Sequence, residues 1–343
     1  MKVDTLILFG GNREKENGPM LDFIRKGLQK KFHVILFTDK IHLQMKIKDE
    51  NYFATILKEE EKNGLTWFEV KDLKINQLKK YVTSSSIGIS INSVWFFNQN
   101  MIDLFNGHLY NYHNTRLPLE RGAGAFTWRI LSQSRLGGLT IHKINVSLDT
   151  GDIYQQKKFV FPKKCKLPID YYEYITNKEK LFFSEFLDNV KNGFNFKPKP
   201  NQNKFSTYWP KLESQNHGYI DWDWTVQEIE LFIRAFDDPY IGASTFLDGE
   251  RVFIKKCSID SKSLKFHPFQ SGIIFRKNDE KIFVAAKGGF LIINDVFDEN
   301  NMKITNRIKL GYRLFTPTKI LEKAKIYRPI SRKQNYKTKI KKK

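Results

Sequence analysis

Cysteine is scarce in this sequence: the 343 residues include two, Cys165 and Cys257, which stand far apart in the chain. Neither belongs to a C-x-x-C pair or to a cluster of Cys and His, so the sequence indicates neither a disulfide framework nor a structural zinc site. No metal is therefore expected. The cysteine usage fits a reducing, cytoplasmic setting best.

Long apolar runs are also missing. No stretch approaches the roughly 18 apolar residues that a membrane helix needs, so we expect no membrane insertion. The N-terminal MKVDTLILFGGN has one basic residue and a short apolar run that ends at Gly10 and Gly11. This pattern predicts a first β-strand rather than a signal peptide.

Several well-known catalytic motifs are absent from the sequence. There is no Walker A pattern, no H-E-x-x-H and no G-x-S-x-G. Gly10 and Gly11 follow the first predicted strand, but NREKENGP after them lacks the G-x-G-x-x-G spacing of a dinucleotide site. A tight turn between strand and loop is the interpretation that fits this glycine pair.

Positive charge is in excess, with a formal net charge of +21. Ten Lys or Arg and no acid lie in residues 323–343, so close to half of the excess belongs to a C-terminal tail. Such a tail is typical either of a disordered, solvating end or of a contact with nucleic acid or another anionic surface. The sequence leaves both interpretations open.

The first half of the chain alternates strand and helix signals. VDTLILFGG, FHVILFTD, SIGISINSVW and GHLYNYHN read as strands, and helix-like segments such as MLDFIRKGLQKKF and NQNMIDLFNG separate them. Strands that alternate with helices predict βαβ units and therefore a doubly wound, mainly parallel sheet of the α/β class. In such sheets, ligands bind at the carboxyl ends of the strands.

The composition changes near residues 195–218, which are rich in Pro and Asn. They show no hydrophobic periodicity, and this pattern is typical of a linker. Beyond them, the helical pattern TVQEIELFIRAF leads into short strand-like segments separated by the turns LDGE, KNDE and KGG. This pattern predicts a smaller second domain built on an antiparallel sheet or barrel.

Candidate catalytic residues gather near the predicted strand ends of the first domain. Asn111 and His113 share one face of a strand, because side chains two residues apart point the same way. His transfers protons near neutral pH, and Asn offers a neutral donor to a developing oxyanion. Asp149 and Asp152 flank a turn downstream, and a turn-forming role accounts for only one of these acids.

Four separate pieces of the sequence, in this order and spacing, resemble the formyltransferases that use 10-formyltetrahydrofolate. They are Asn111-x-His113, the loop with Leu117-Pro118 and Arg121-Gly122, the segment GGLTIHKI, and the turn DTGDI at residues 149–153. GYIDWDW, IRAFDDPYIGASTF and KGGFLIINDV are similar to the C-terminal domain of the family's tRNA enzymes and of a bifunctional aminoarabinose enzyme. The likeness covers the chain up to about residue 315.

The resemblance implies a domain organisation. Residues 1–200 would form a Rossmann-like catalytic domain, residues 201–217 a linker, and residues 218–318 an OB-like β-barrel domain. Residues 319–343 would form a basic, disordered tail. Enzymes of this family that release formate keep the same catalytic residues behind an extra N-terminal domain, whereas here the first strand begins at residue 3.

The resemblance also assigns roles in a reaction that needs no covalent enzyme intermediate. Asn111 and His113 would bind the formyl oxygen, and Asp149 would orient a protonated His113 and take part in proton transfer. The folate co-substrate would contact four further residues: Trp95, Phe96, Asn145 and Leu148. Trp95 and Phe96 also have a core-packing interpretation, and Arg121 and Gly122 would form a loop beside the substrate.

The acceptor amine has two interpretations, an amino sugar carried by a nucleotide and the amino acid on initiator tRNA. The positive charge favours tRNA. However, the basic Arg-Gly-Lys-Lys insertion of the tRNA enzymes has no counterpart in residues 38–64, and Thr115, Arg116 and Trp128 depart from their pattern. We therefore expect a small amine as the acceptor, and specifically an amino sugar that is linked to a nucleotide. The sequence does not specify the oligomeric state.

Overall fold

The computed structural model describes most of the chain. The described residues are 2–12, 18–44, 51–123, 125–193, 196–278 and 280–328. The greater part of the predicted basic tail, residues 329–343, lies outside them, as does Gly124 in the predicted substrate loop.

A seven-stranded sheet organises the first part of the chain. Its strands and one short neighbour, β6, are β1 (Thr5–Gly10), β2 (His33–Thr38), β3 (Leu65–Glu69), β4 (Ser86–Ile91), β5 (Leu109–His113), β6 (Glu120–Gly122), β7 (Leu136–Lys143) and β8 (Ile153–Val160). The order in the sheet is β3-β2-β1-β4-β5-β7-β8. The first five strands in this order are parallel, and β7 and β8 are antiparallel to their neighbours.

Helices surround this sheet. They are α1 (Pro19–Gln29), α2 (Lys40–Leu43), α3 (Tyr52–Glu61), α4 (Ile75–Leu78), α5 (Gln99–Leu104), α6 (Ala125–Leu131) and α7 (Pro168–Lys191). Pro19 begins α1 with a φ that suits a first helical turn, and the Asn98 side chain accepts from the amide of Met101 to cap α5. These local signals explain where the helices begin.

Both faces of the sheet are buried. Along β1, Leu6 and Leu8 belong to one hydrophobic cluster, and Ile7 and Phe9 belong to another on the opposite face. A strand that is covered on both sides reads as a continuous apolar run, which is the pattern of TLILFG. The predicted doubly wound, mainly parallel sheet is confirmed.

The second part of the chain is built on a curled antiparallel sheet. Its strands are β10 (Ala243–Leu247), β11 (Glu250–Asp260), β12 (Ile274–Lys277), β13 (Ile282–Ala286), β14 (Gly289–Phe297) and β15 (Leu314–Phe315), in the order β12-β13-β14-β11-β10-β15. A bridge between Ile273 and Arg313 connects the two edges of this sheet. Helix α9 (Val226–Ala235), which precedes it, packs on β11 and on α6. The predicted smaller barrel-like domain is thus confirmed.

The segment between the two parts is more ordered than its composition predicts. It contains a 3-10 turn (Asn203–Phe205), the strand β9 (Thr207–Trp209) and the short helix α8 (Ser214–His217). Strand β9 pairs in parallel with β6, so this segment is joined to the loop that follows β5. The segment is therefore part of the structure around the loop after β5, in addition to linking the two parts of the chain.

The chain after β15 begins with structure as well. Helix α10 (Thr318–Ile326) occupies the first residues of the predicted disordered tail, so disorder is the wrong expectation for residues 319–326. Good helix formers such as Leu, Glu, Ala and Lys in TKILEKAKI account for it. Among the described residues, no helix has the length and apolar character to cross a membrane.

Candidate active site

Strand β5 places Asn111 and His113 on one face of the sheet, and Tyr110 and Tyr112 on the other. Tyr110 and Tyr112 are buried, whereas Asn111 and His113 are only partly so. The antiparallel neighbour β7 sets His142 opposite Asn111, and their side chains meet with Nδ2 of Asn111 3.2 Å from Nε2 of His142. The other ring nitrogen of His142, Nδ1, donates to the carbonyl of Lys143 at 2.9 Å.

The turn after β7 brings Asp149 to the same place. Its Oδ2 lies 3.8 Å from Nε2 of His113, and its Oδ1 lies 3.5 Å from Nε2 of His142. The backbone amide of Gly122 also donates to Oδ2 at 3.1 Å. Three segments that are distant in sequence therefore converge on one buried carboxylate. We call Asn111, His113, His142 and Asp149 the polar cluster.

Asp149 is ionised in this setting. Burial by itself would raise its pKa, but the imidazoles of His113 and His142 and the amide of Gly122 hold the pKa well below its usual range. The backbone of Asp149 has φ +53°, a left-handed conformation that is uncommon for residues other than glycine. The carboxylate is thus aimed at the two imidazoles from a turn that needs outside support.

The surroundings of His113 act on its pKa in two opposing directions. Burial lowers the pKa of His113, and this effect outweighs the opposing influence of the Asp149 carboxylate. The expected protonated form of His113 stays a prediction that this burial disfavours in the ligand-free protein. Its Nε2 faces the carbonyl of Glu120 at 3.3 Å, and since a carbonyl only accepts, Nε2 carries the hydrogen and Nδ1 the lone pair.

Asn201 supports the turn that carries Asp149. Its Nδ2 donates to the carbonyls of Asp149 and Gly151 at 2.9 and 3.0 Å, and its Oδ1 accepts from Arg121 at 3.2 Å. The side chain is buried, with 8% of its surface exposed. Sequence reasoning missed this residue because it lies in a stretch with the composition of a linker.

The loop after β5 contains the two residues predicted to lie beside the substrate. Arg121 donates a hydrogen bond to Asn201, so its side chain helps to hold the loop in place. Gly122 has φ +95°, and a Cβ on it would lie 2.1 Å from the carbonyl oxygen of Trp209. Glycine is required here because β6 and β9 approach so closely, and this approach positions the amide that binds Asp149.

The four predicted folate contacts fall into two groups. Trp95 is a core residue: 8% of its surface is exposed, it packs in the second hydrophobic cluster, and its Nε1 donates to the carbonyl of Lys71. Phe96, by contrast, is 51% exposed, and Asn145 and Leu148 are exposed in the loop that leads into Asp149. The contact of Trp95 with a ligand stays a prediction that its packing disfavours.

A cavity of about 270 Å³ adjoins the polar cluster. It lies between the loop after β5, helix α6 and strand β9. Six polar or charged residues line it, Thr115, Glu120, Arg121, Arg129, Ser132 and Ser134, together with Gly122, Ala123, Trp128, Leu131 and Trp209. Such a lining is typical of a small-molecule site.

The arrangement can perform acyl transfer without a nucleophilic side chain. Asn111 carries amide hydrogens for an oxyanion, His113 has a free basic nitrogen, and Asp149 stabilises a positive charge on the ring. Within the described residues, no group of three or more His, Cys, Asp and Glu side chains is placed to hold a metal ion. Of this cluster, sequence reasoning gave no role to His142, although the motif segment GGLTIHKI contains it.

Comparisons with known proteins agree with this chemistry. A family model described as formyl transferase matches residues 14–181, and a model of the formyl transferase C-terminal domain matches residues 213–309. The methionyl-tRNA formyltransferase of Ruminiclostridium cellulolyticum is 28% identical over 226 residues, which are 65% of this chain and 70% of that relative.

Solved structures share the fold across most of the chain. WlaRD, described as a sugar 3N-formyl transferase and crystallised with dTDP and 5-N-formyl-THF, has a TM-score of 0.61 at 18% identity. The match covers 87% of this chain and 99% of that one. An N-formyltransferase from Helicobacter canadensis, in complex with folinic acid and dTDP-3-aminofucose, has a TM-score of 0.61 at 19% identity and covers 86% and 100%.

Proposed function

The chain belongs to the formyl transferase family, whose members are folate-dependent formyltransferases, and we propose that it moves a formyl group from 10-formyltetrahydrofolate to the amine of a nucleotide-linked amino sugar. The single observation that carries the proposal is the convergence of Asn111, His113 and Asp149 at the end of β5. These are the residues that the family pattern assigns to formyl transfer.

The polar cluster supports each step of such a transfer. A neutral amine attacks the formyl carbon, and the carbonyl oxygen becomes an oxyanion that an amide hydrogen of Asn111 stabilises. Nδ1 of His113 takes the proton that the amine loses and then gives it to the departing folate nitrogen. The imidazolium exists between these two steps, when the Asp149 carboxylate offsets its burial.

The folate fits the exposed apolar surface that precedes Asp149. Val146 and Leu148 are 64% and 45% exposed, although apolar side chains of this size are usually covered. We place the pterin against this loop and against Phe96, so that the formyl group reaches Asn111. In this arrangement Trp95 supports the loop from the core and does not contact the folate.

Two observations favour an amino-sugar acceptor. The cavity beside the polar cluster is small and closed in by Trp128 and Trp209, which suits a compact ring better than a nucleic acid. In addition, two of the solved structures with the same fold are described as a sugar 3N-formyl transferase and as an N-formyltransferase in complex with dTDP-3-aminofucose.

A second candidate is formyl transfer to the methionine of initiator tRNA. The relative from R. cellulolyticum has that name, and the net charge of +21 suits a polyanionic partner. The two candidates differ in the acceptor alone, since the donor and the polar cluster would be the same.

Incubation with 10-formyltetrahydrofolate and either amino-sugar nucleotides or charged initiator tRNA tests the proposal. We expect the formyl mass increment on an amino sugar, and a product found on tRNA alone would reject the sugar assignment. The variant His113→Ala should lose transfer, whereas the control His33→Ala, which changes an exposed histidine at the start of β2, should keep it. Normal activity of a folded His113→Ala would overturn the site.

A further inference from the structure

Two packed tryptophan side chains form one wall of the cavity next to the polar cluster. Trp128, on α6, is fixed by a hydrogen bond from its Nε1 to the carbonyl of Pro210 at 2.8 Å. Its ring packs against that of Trp209, on β9, with centroids 5.1 Å apart and an interplanar angle of 37°. The carbonyl of Trp209 in turn accepts from the amide of Ala123 at 3.0 Å. The two indoles therefore form a rigid apolar surface from segments about 80 residues apart.

Two other residues that line the cavity form hydrogen bonds to the catalytic groups. Glu120 lines the cavity, and its carbonyl is the acceptor for Nε2 of His113. Gly122 also lines the cavity, and its amide is the donor to Asp149. The backbone of two lining residues is thus hydrogen-bonded to His113 and to Asp149.

The charges around the cavity disfavour an ammonium group. The carboxylate of Glu120 is neutralised by two ion pairs, to Arg116 and to Arg129, which lies 2.9 Å from it. With Arg121 also in the lining, the cationic side chains outnumber the Glu120 carboxylate. A net positive surrounding lowers the pKa of an amine, which keeps the amine in the neutral form that can attack a formyl carbon.

We propose that this cavity binds the amine-bearing sugar ring of the acceptor, with the ring's C–H face on Trp128 and Trp209. The inference rests on the proposed function and adds the place and the contacts of the acceptor. The hydroxyls of Ser132 and Ser134 provide polar partners for ring hydroxyl groups at the end of α6. The nucleotide would extend from the cavity toward solvent, since 42% of the Trp209 surface is exposed.

Two variants change the cavity in opposite ways. Trp209→Ala removes half of the aromatic wall, and Ser132→Phe fills the space. Both should raise the KM for the amino-sugar nucleotide about 10-fold or more, which corresponds to about 1.4 kcal/mol. The dissociation constant of folinic acid, measured by calorimetry, should stay within about twofold, because Phe96, Val146 and Leu148 of the proposed folate site do not line the cavity.

The matched control is Phe205→Ala, which removes an exposed aromatic side chain from the same segment without touching the cavity. It should keep the KM of the unmodified protein. Circular dichroism and thermal unfolding would verify that each variant is folded, and calorimetric titration with the amino-sugar nucleotide gives binding without turnover.

The outcomes separate this inference from the proposed function. If the unmodified protein formylates none of the amino-sugar nucleotides, the proposed function fails. If it formylates one of them and both folded variants keep its KM and dissociation constant, the cavity does not hold the acceptor. Equal weakening of folinic acid would also overturn the inference, because the cavity would then belong to the donor.

Discussion

Asn201 offers the sharpest test of how the Asp149 carboxylate is positioned. The substitution Asn201→Ala removes three hydrogen bonds, two from Nδ2 to the carbonyls of Asp149 and Gly151 and one from Arg121 to Oδ1. The first two hold a turn in which Asp149 has a left-handed backbone. We expect the turn to relax and the carboxylate to move away from His113.

The size of the effect follows from the bonds that are lost. A buried hydrogen bond contributes about 1 kcal/mol net, so the two bonds to the turn contribute about 2 kcal/mol. If this energy is used to position Asp149 in the transition state, kcat falls roughly 30-fold. The KM for the acceptor should change little, because Asn201 does not line the cavity.

Steady-state kinetics of four variants would measure this effect. Asn201→Asp keeps an acceptor for Arg121 but loses the N–H donors, so it should be impaired like Asn201→Ala. The neighbouring exposed Gln202→Ala is the control and should behave like the unmodified protein. If Asp149→Asn abolishes transfer while Asn201→Ala and Asn201→Asp keep the full kcat, the positioning role is refuted.

Two further predictions concern protons. Because burial lowers the pKa of His113, its NMR titration in the free protein should have a midpoint below the ordinary value of about 6.5, and Asp149→Asn should move it lower still; a midpoint above that value would contradict the account. Glu179 is buried and accepts a hydrogen bond from Tyr112. Burial raises its pKa to about 7, above that of the unfolded chain, so its protonation stabilises the fold fully below about pH 4.5 and this stabilisation is lost as the pH rises through 7. Urea unfolding between pH 5 and 8 should show a decline of at most about 3 kcal/mol that Glu179→Gln removes, and an unchanged slope in that variant would reject Glu179 as the source.

The sequence predicts the main sheet well because its signals are local. A strand covered on both faces, such as β1, is a continuous apolar run, and helix starts such as Pro19 carry a recognisable residue. Less regular strands escaped prediction: β3 and β8 carry polar residues at several positions, and β9 lies in a stretch rich in Pro and Asn. Their pairing with distant strands decides their structure.

The candidate site divides in the same way. Asn111, His113 and Asp149 could be selected from the sequence because each lies in a short motif with its own spacing. Asn201 and the Trp128–Trp209 wall could not, since they act through contacts between segments about 50 to 80 residues apart. Trp95 is the opposite case: an aromatic residue beside a strand end reads as a ligand contact, whereas its burial favours a core-packing role.

The sequence by itself determined the residue types of the reaction and the order of the elements that carry them. Only the tertiary structure shows what lowers the pKa of His113, because a pKa depends on burial and on groups brought close by folding. It also decided that the segment after residue 200 supports Asp149 and lines the cavity beside the polar cluster. Composition cannot predict these roles, because hydrogen bonds between distant segments produce no periodic pattern in the sequence.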